Sequence, residues 1–335
     1  MAGIDFLLEK SRAGEVLCEN ELAELLALPP SSPQSLAVMA QARSITGELD
    51  GGRAEVHGQF ALNLAPCPKQ CQFCSFAVVN RVFTESFELS PELAVKSAQR
   101  LEAEGVNAVY MMTTAQYDFG KFLEMGREVK KNIRPETVLI ANVGDRTPAE
   151  AKMLKDVGFS GVYHAMRLRE GVDTAIDPDL RKKSIAAFQE AGLIVGTCVE
   201  PVGPEHTNEE LAAMIAFTAS ISPAFSGAAR RISIPGTWMA LEFGMISELR
   251  MAQTVAVTRL GMPRSVTGNC THEPCVIGAL AGANLLWAEI GANPRDTEKE
   301  TEKGRGADAE KCRKIFWEAD CGVLEGPSLF YRQNG

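Results

Sequence analysis

From residue 60 onward, short apolar runs of strand length alternate with longer amphipathic stretches of helical length. This alternation is typical of strand–helix units that form a parallel sheet. We count eight rounds. The predicted strands are Phe60–Leu64, Ala108–Met112, Val138–Asn142, Gly161–His164, Ile194–Val199, Arg231–Ile234, Ser265–Thr267 and Leu285–Glu289. The predicted helices between them are clearest at Pro91–Glu104, Phe119–Asn132, Pro148–Val157, Pro178–Ala191, Asn208–Ser220 and Glu242–Leu260.

Start and stop signals support these helices. A capping side chain precedes a proline at three predicted starts, namely Ser90, Thr147 and Asp177. A glycine stands where three helices should end, namely Gly105, Gly158 and Gly192. Eight rounds over about 230 residues predict an α/β fold of the TIM type, a (β/α)₈ barrel whose active site lies at the C-terminal ends of the strands.

The remaining segments flank this barrel. Residues 1–50 read as short helices and predict an N-terminal helical extension, followed by the barrel over residues 51–294. Residues 295–335 form a C-terminal tail with a mixed-charge run, which we expect to be solvated.

Composition narrows the class of protein. The chain has 335 residues, of which 45% are hydrophobic, and a net charge of −9. That charge favours a small-molecule substrate over nucleic acid, because nucleic-acid binding needs a basic surface. No apolar run approaches the ~18–20 residues of a membrane span, and no secretory signal opens the chain. We therefore expect a cytoplasmic protein whose nine cysteines serve metal or redox chemistry.

Three cysteines follow the first predicted strand with the spacing C-x₃-C-x₂-C: Cys67, Cys71 and Cys74. Such a loop can bind three irons of a [4Fe–4S] cluster and leave the fourth iron open for a small chelating molecule. A zinc loop and three unrelated core cysteines are the alternatives. Zinc sites usually use paired C-x₂-C knuckles with a fourth ligand nearby, and no second pair lies close in sequence.

Polar residues follow other predicted strands. Thr113 and Thr114 end the second, where they are either ligand contacts or ordinary sheet residues. The fourth is followed by Arg167, Arg169 and Glu170, which form either a clamp for a carboxylate and hydroxyl groups or a surface ion cluster. Three further residues are candidates for substrate binding or for purely structural hydrogen bonds: Asn142, His164 and Arg264.

A second group of thiols lies late in the chain: Cys270, Cys275, Cys312 and Cys321. Four thiols suffice for an iron–sulfur cluster or a zinc ion, and Cys198 at the end of the fifth strand is a further candidate. Each could instead be a small buried apolar residue. To form one site, the tail would have to fold back over the barrel mouth.

The Cys67 loop, with Phe73 before its last cysteine, closely resembles that of the radical S-adenosylmethionine (SAM) enzymes. Over roughly residues 50–325 the chain resembles their biotin synthase branch. The resemblance implies that a [4Fe–4S] cluster on the loop chelates SAM and that reduction yields a 5′-deoxyadenosyl radical, which removes hydrogen from an unactivated C–H bond. It also implies SAM contacts from Phe73, from Thr113 and Thr114 to the amino group, and from Arg167 and Glu170 to the carboxylate and ribose, with Arg169 as a substitute.

Common biotin synthases hold a [2Fe–2S] cluster on cysteines of strands two, three and five and a late arginine. Cys198 and Arg264 could match, but the places around Met111 and Ala141 carry no cysteine. The chain looks closer to a variant of anaerobes with a different auxiliary cluster, for which the late thiols Cys270, Cys275, Cys312 and Cys321 are the expected ligands.

The implied reaction is sulfur insertion into dethiobiotin, with flavodoxin or ferredoxin as reductant and a homodimer as the assembly. The alternatives are a related enzyme that rearranges an amino acid or builds a hydrogenase cofactor, and a non-enzymatic zinc or iron–sulfur scaffold.

Overall fold

The structure, a computed structural model, describes residues 3–332. Three helices open the chain: α1 (Ile4–Arg12), α2 (Glu19–Leu26) and α3 (Pro33–Asp50). Twelve strands follow or interleave with nine further helices. The strands are β1 (Arg53–Ala61), β2 (Asn63–Leu64), β3 (Phe87–Glu88), β4 (Ala108–Met112), β5 (Val138–Asn142), β6 (Gly161–Tyr163), β7 (Ile194–Gly196), β8 (Val199–Val202), β9 (Phe225–Arg230), β10 (Gly268–Thr271), β11 (Leu285–Ile290) and β12 (Gly322–Val323). The helices are α4 (Pro91–Ala103), α5 (Phe119–Asn132), α6 (Pro148–Val157), α7 (Pro178–Glu190), α8 (Asn208–Ser220), α9 (Trp238–Phe243), α10 (Glu248–Gly261), α11 (Val276–Leu280) and α12 (Ala309–Glu318).

Parallel strands form a barrel in the order β7, β6, β5, β4, β1, β11, β10, β9, β8. β7 and β8 are two halves of one interrupted strand, because β7 pairs with β6 and β8 pairs with β9. Backbone hydrogen bonds close the seam: Ala224 donates to Val195 at 2.8 Å and Thr197 donates to Phe225 at 3.3 Å. The predicted eight-stranded (β/α)₈ fold is confirmed.

The capping signals act as predicted. Ser90, Thr147 and Asp177 each accept a hydrogen bond from a backbone N–H in the first turn of α4, α6 and α7. Helices α2, α3, α8 and α10 pack together through buried apolar residues, so the N-terminal extension covers one side of the barrel. Within residues 3–332, none of the helices has the combination of length and apolarity that crossing a bilayer requires.

Three strands and one helix lie elsewhere than predicted. β1 begins at Arg53, seven residues before the predicted start at Phe60, and ends at Ala61. β9 spans Phe225–Arg230 rather than residues 231–234, because its small residues carry a weaker strand signal than the isoleucines that follow. β10 begins at Gly268, three residues later than predicted. The long helix predicted from Glu242 is interrupted by Gly244, whose φ of 64° is a conformation that glycine adopts easily.

Strand side chains alternate between two apolar layers. Val109 and Met111 on β4 point outward to the helices, whereas Tyr110 points into the barrel. The interior is filled mainly by aromatic rings, including Phe225 and Trp287. The barrel is therefore a packed core below the mouth rather than an open channel.

Residues 309–332 of the C-terminal tail lie at the opposite end from their predicted position. The preceding charged run stays at the mouth, where Arg295 lines a cavity and Arg305 pairs with the buried Glu289 rather than being solvated. Helix α12 packs outside β1 and β11, and β12 extends the sheet beside Arg53 and Ala54, at the start of β1. Phe330 and Tyr331 then enter the interior from below, where Tyr331 Oη lies 3.0 Å from Tyr110 Oη. The expectation that the tail brings Cys312 and Cys321 over the mouth is wrong: this part of the tail packs outside the sheet, and the aromatic residues that follow it are buried as a plug at the bottom of the barrel.

Candidate functional site

A cavity opens at the C-terminal end of the barrel strands, the end at which the cysteine loop lies. Eight of the residues predicted from the sequence line it: Cys67, Cys71, Phe73, Cys74, Thr113, Thr114, Asn142 and Arg167. The structure thus brings together residues that are up to 100 positions apart in the chain, because parallel strands end at the same edge.

The cysteine loop is fixed by its own backbone. Cys67 N donates to Phe76 O at 2.7 Å and Val78 N donates to Cys67 O at 3.0 Å, which forms a short bridge across the loop. Contacts from outside also fix it, since Gln72 N donates to Asp173 O and Ser75 N donates to Pro294 O. The loop is therefore held on two sides of the mouth.

Asn80 is a residue of this loop that sequence reasoning missed. Its Nδ2 lies within hydrogen-bond distance of three carbonyl oxygens, those of Cys71 at 3.3 Å, Gln72 at 3.1 Å and Cys74 at 2.8 Å. These oxygens point inward from the turn that carries two of the thiols. Asn80 thus adds side-chain hydrogen bonds to a turn in which the carbonyl oxygens of Cys71 and Cys74 also accept backbone N–H groups, and it ties the carbonyl of Gln72 to them.

Burial keeps the thiols of Cys71 and Cys74 protonated in the absence of metal. It raises the pKa of Cys71 to about 11 against the opposing charge of Arg167, and it also raises the pKa of Cys74. Because metals bind thiolates, loading this site must release protons and provide positive charge to hold the thiolates.

The two threonines differ in their partners. Thr114 exchanges two hydrogen bonds with the side chain of Asn63, at 2.8 and 2.9 Å. Thr113 Oγ1 is buried and has no hydrogen-bond partner among the described residues. A buried hydroxyl without a partner carries an energetic cost, so Thr113 is the one positioned to contact a ligand.

Arg167 is the arginine of its segment that reaches the cavity. Its guanidinium donates to Ala165 O at 3.2 Å and lies 3.6 Å from Glu200 Oε1 on β8. Burial opposes its charge, but Glu200 and Glu170 outweigh that effect and raise the pKa of Arg167. A permanent positive charge therefore faces the cavity opposite the cysteine loop.

Glu170 lies behind Arg167 rather than in the cavity lining. Its carboxylate accepts from Arg167 N at 3.0 Å and lies 3.4 Å from Arg181 Nε. Its expected contact with ribose is not supported by this position, because the carboxylate is buried and occupied by protein partners. Arg181, on α7, does line the cavity and was missed, since nothing in the helical pattern marks it as inward-facing.

His164 belongs to the same buried network. Its ring lies 3.0 Å from Asp145 Oδ1 and 2.8 Å from Arg181 Nη1. Burial, followed by the charge of Arg181, lowers the pKa of His164 to about 3, so the ring is neutral at physiological pH. It is absent from the residues that line the cavity, and a structural role fits this position better than substrate binding.

Two predicted site residues lie elsewhere. Arg169 points toward α8, where its Nε donates to Glu210 Oε1 at 2.9 Å. Arg264 lies before β10, at the N-terminal end of the barrel, and binds the carbonyl oxygens of Ser11 and Arg12. The placement of Arg264 at the mouth is wrong, because a residue that precedes a barrel strand emerges at the opposite end.

The four late thiols are not brought together. Cys270 points into the barrel interior, whereas Cys312 on α12 is buried in the outer layer, on the other side of the sheet. Cys275 Sγ accepts from Gly278 N at the start of α11, and Cys321 Sγ accepts from Arg43 on α3 at 2.6 Å. The predicted four-cysteine site is therefore wrong, for the same reason as the tail position.

The cavity lining fits a [4Fe–4S] cluster with SAM. Among the described residues, the three cysteines of the loop are the only cysteines of the lining, which leaves one iron without a protein thiol. The buried Thr113 hydroxyl and the Arg167 guanidinium face the same space. These groups match an amino group and a carboxylate, respectively.

Sequence comparisons agree with this chemistry. The family model described as the radical SAM superfamily matches residues 66–218. A biotin synthase of Desulforudis audaxviator is 25% identical over 290 residues, which cover 82% of this chain and 86% of that protein. A biotin synthase of Nitrosopumilus maritimus is 22% identical and covers 77% of this chain and 80% of its own length.

Solved structures share the fold. Methylornithine synthase superimposes with a TM-score of 0.79 at 17% identity, covering 95% of this chain and 97% of that chain. The FeFe-hydrogenase maturase of Carboxydothermus hydrogenoformans also gives a TM-score of 0.79, at 19% identity, covering 98% and 81% of the two chains. At such identities the similarity defines the architecture alone.

Proposed function

We propose that this chain is a radical SAM enzyme, similar to the biotin synthases, that inserts sulfur into dethiobiotin by way of a 5′-deoxyadenosyl radical. The observation that carries the radical chemistry is the convergence of three thiols, and of no other cysteine among residues 3–332, on the lining of the mouth cavity. The two biotin synthases described above support the choice of substrate, since the similarity to this chain covers 86% and 80% of their lengths.

Cys67, Cys71 and Cys74 would hold the cluster, and Asn80 would keep their turn in a fixed conformation. When bound, the cluster provides the electron that cleaves the sulfonium of SAM to a 5′-deoxyadenosyl radical. The protein's contribution is to bind and orient the reactants and to limit access of water.

Thr113 and Arg167 would orient SAM. The Thr113 hydroxyl, without a protein partner, would accept a hydrogen bond from the amino group, and Arg167 would pair with the carboxylate. Glu170 would contribute indirectly, because its carboxylate accepts a hydrogen bond from the backbone N–H of Arg167 at 3.0 Å. Arg167 then enters the cavity at a fixed angle.

The opposite wall of the cavity provides groups for a polar acid such as dethiobiotin. Arg230 lines the cavity, and its Nε is buried with no hydrogen-bond partner among the described residues. Asn142 also lines it and donates to Gln59 Oε1 at 2.9 Å, which leaves its amide oxygen for a substrate N–H. An arginine and an amide match a carboxylate and a urea-type ring.

The direct test uses anaerobically reconstituted protein with dethiobiotin, SAM and a reductant. We expect biotin to form together with 5′-deoxyadenosine, and its inserted sulfur to carry ³⁴S when ³⁴S-labelled sulfide is supplied as a co-substrate, because the late thiols do not form a donor site. The Cys67→Ala/Cys71→Ala/Cys74→Ala variant is the control and should form neither product. SAM cleavage without biotin would reject the substrate while leaving the radical chemistry intact.

One observation favours a second candidate, a carbon-skeleton rearrangement without sulfur. The four thiols predicted to hold a sulfur donor lie on different sides of the sheet, so this set offers no donor cluster. Transfer of ³⁴S from labelled sulfide into the product separates the two functions. A rearranging enzyme should consume its substrate and cleave SAM without any ³⁴S in the product.

A further inference from the structure

We propose that Cys198, Cys270 and His272 form a second metal site, for a single soft divalent cation such as Zn²⁺ or Fe²⁺, in the barrel wall beside the mouth cavity. The sulfur atoms and a ring nitrogen of these three residues lie within 4.8 Å of one another, and all three residues are buried. The proposal concerns metal binding alone and stands or falls separately from the choice of dethiobiotin.

The two thiols approach each other across an intervening strand. Cys198 follows β7, Cys270 lies on β10, and their Sγ atoms are 3.1 Å apart although β9 runs between them. Gly227 of β9 faces Cys270 with a φ of 114°, and a Cβ at Gly227 would lie 2.1 Å from Cys270 O. Glycine therefore permits the close contact between β9 and β10 that places Cys270 near Cys198.

His272 provides the second, independent observation. Neither of its ring nitrogens has a hydrogen-bond partner among the described residues, although the residue is only 8% exposed. The ring is held by Trp287, on which it stacks at a centroid distance of 4.2 Å. A buried imidazole normally bonds at least one nitrogen, so a fixed ring with two free nitrogens beside two thiols indicates a missing ligand.

The donor set suits a soft divalent ion. Two thiolates offset the charge of one divalent cation, which gives a neutral site in an apolar interior. Thiolates on a tetrahedral ion lie about 3.8 Å apart for a metal–sulfur distance of about 2.3 Å, so the two Sγ atoms need to separate by only about 0.7 Å from their 3.1 Å contact. Two sulfurs and one imidazole favour zinc or ferrous iron over hard cations such as Mg²⁺.

The site leaves a coordination position on the cavity side. Three protein ligands hold a tetrahedral ion with one place free, the arrangement of catalytic rather than closed structural sites. His272 itself lines the cavity. The free position would therefore accept a donor atom from a molecule bound at the mouth, or a water molecule in its absence.

Cobalt binding tests this proposal without any turnover. The full chain carrying Cys67→Ala/Cys71→Ala/Cys74→Ala, which removes the first set of thiols, is purified anaerobically with a reductant and titrated with Co²⁺. We expect about one Co²⁺ per chain, with the intense visible bands of a tetrahedral ion and a thiolate charge-transfer band. Adding Cys198→Ser, Cys270→Ser or His272→Phe should abolish the bands.

Cys312→Ala is the matched control, because Cys312 is equally buried but lies in the outer layer. It should leave the cobalt spectrum unchanged, and circular dichroism should show that every variant is folded. Absence of the bands in the parent chain would overturn the proposal, as would bands that survive Cys198→Ser. Mass spectrometry of the protein as purified with reductant should find both thiols free, and a Cys198–Cys270 disulfide that persists under these conditions would contradict the proposal. An iron–sulfide cluster on these residues would also contradict it.

Discussion

Thr113 and Thr114 are neighbours with different roles. The hydroxyl of Thr113 has no partner among the described residues, whereas that of Thr114 is bonded to Asn63. Thr113→Val should therefore weaken SAM binding by about 1–2 kcal/mol, the value of a typical hydrogen bond, and leave the melting temperature at or above that of the wild type. Calorimetric titration of SAM into the reconstituted protein measures the effect.

Thr114→Val is the matched control. It removes a bond from a satisfied buried pair and should lower the free energy of unfolding by about 1–3 kcal/mol. Destabilisation by Thr113→Val with unchanged SAM affinity would show that the Thr113 hydroxyl serves the fold instead.

Arg167 and Arg169 provide a second comparison between near neighbours. Arg167 lines the cavity, whereas Arg169 forms an ion pair with Glu210 outside it. Arg167→Ala should weaken SAM binding by about 1.5–3 kcal/mol through loss of a charge-assisted bond. Arg169→Ala should change SAM affinity by less than about 0.5 kcal/mol, because exposed ion pairs contribute little. Equal effects in the two variants would argue against a SAM contact at Arg167.

At the scale of elements, the cysteine turn depends on Asn80. Its side-chain amide reaches three carbonyl oxygens of the turn, and none of these bonds survives in Asn80→Ala. Loss of about 1 kcal/mol per bond should loosen the turn and reduce the iron retained after desalting, while the rest of the barrel stays folded. Asn132→Ala removes two exposed bonds on α5 and is the matched control. Full iron retention in Asn80→Ala would contradict this role.

Elements with strong, local signals could be predicted from the sequence. β4, β5, α5, α6 and α8 begin and end at the predicted residues, because apolar periodicity and caps agree there. The position of β9 was predicted wrongly because the interior of this strand is Ser-Gly-Ala-Ala. These small residues allow close packing against Cys270 but have low strand propensity. The position of β9 therefore depends on its packing against β10, which the local sequence does not reveal.

The residues of the candidate site also fall into those that could be predicted from the sequence and those that could not. Residues within a few positions of a strand end, such as Cys67, Thr113 and Arg167, could be predicted because strand ends define the mouth. Arg181 and Asn80 could not, since their roles depend on the direction of a side chain from a helix or a loop. The second group of cysteines was misassigned because spacing alone does not reveal which side of a sheet a thiol faces.

At the scale of the molecule, the last described residues of the tail close the bottom of the barrel. Tyr331 is 5% exposed and packs among interior rings below the cavity. Tyr331→Ala should lower the free energy of unfolding by about 3–5 kcal/mol, as for other buried aromatic truncations. Tyr331→Phe, which removes only the bond to Tyr110, should cost about 1 kcal/mol. Urea unfolding measures both, and a negligible loss in Tyr331→Ala would refute the plug.

The central claim is that the three cysteines of the mouth loop support reductive cleavage of SAM. The most direct measurement is the yield of 5′-deoxyadenosine from anaerobically reconstituted protein with SAM and dithionite, without any added substrate. The wild type should release 5′-deoxyadenosine and methionine in equal amounts, and the Cys67→Ala/Cys71→Ala/Cys74→Ala variant should release neither. Cleavage by that variant at the wild-type rate, or a wild-type protein that holds four irons and leaves SAM intact, would contradict the assignment.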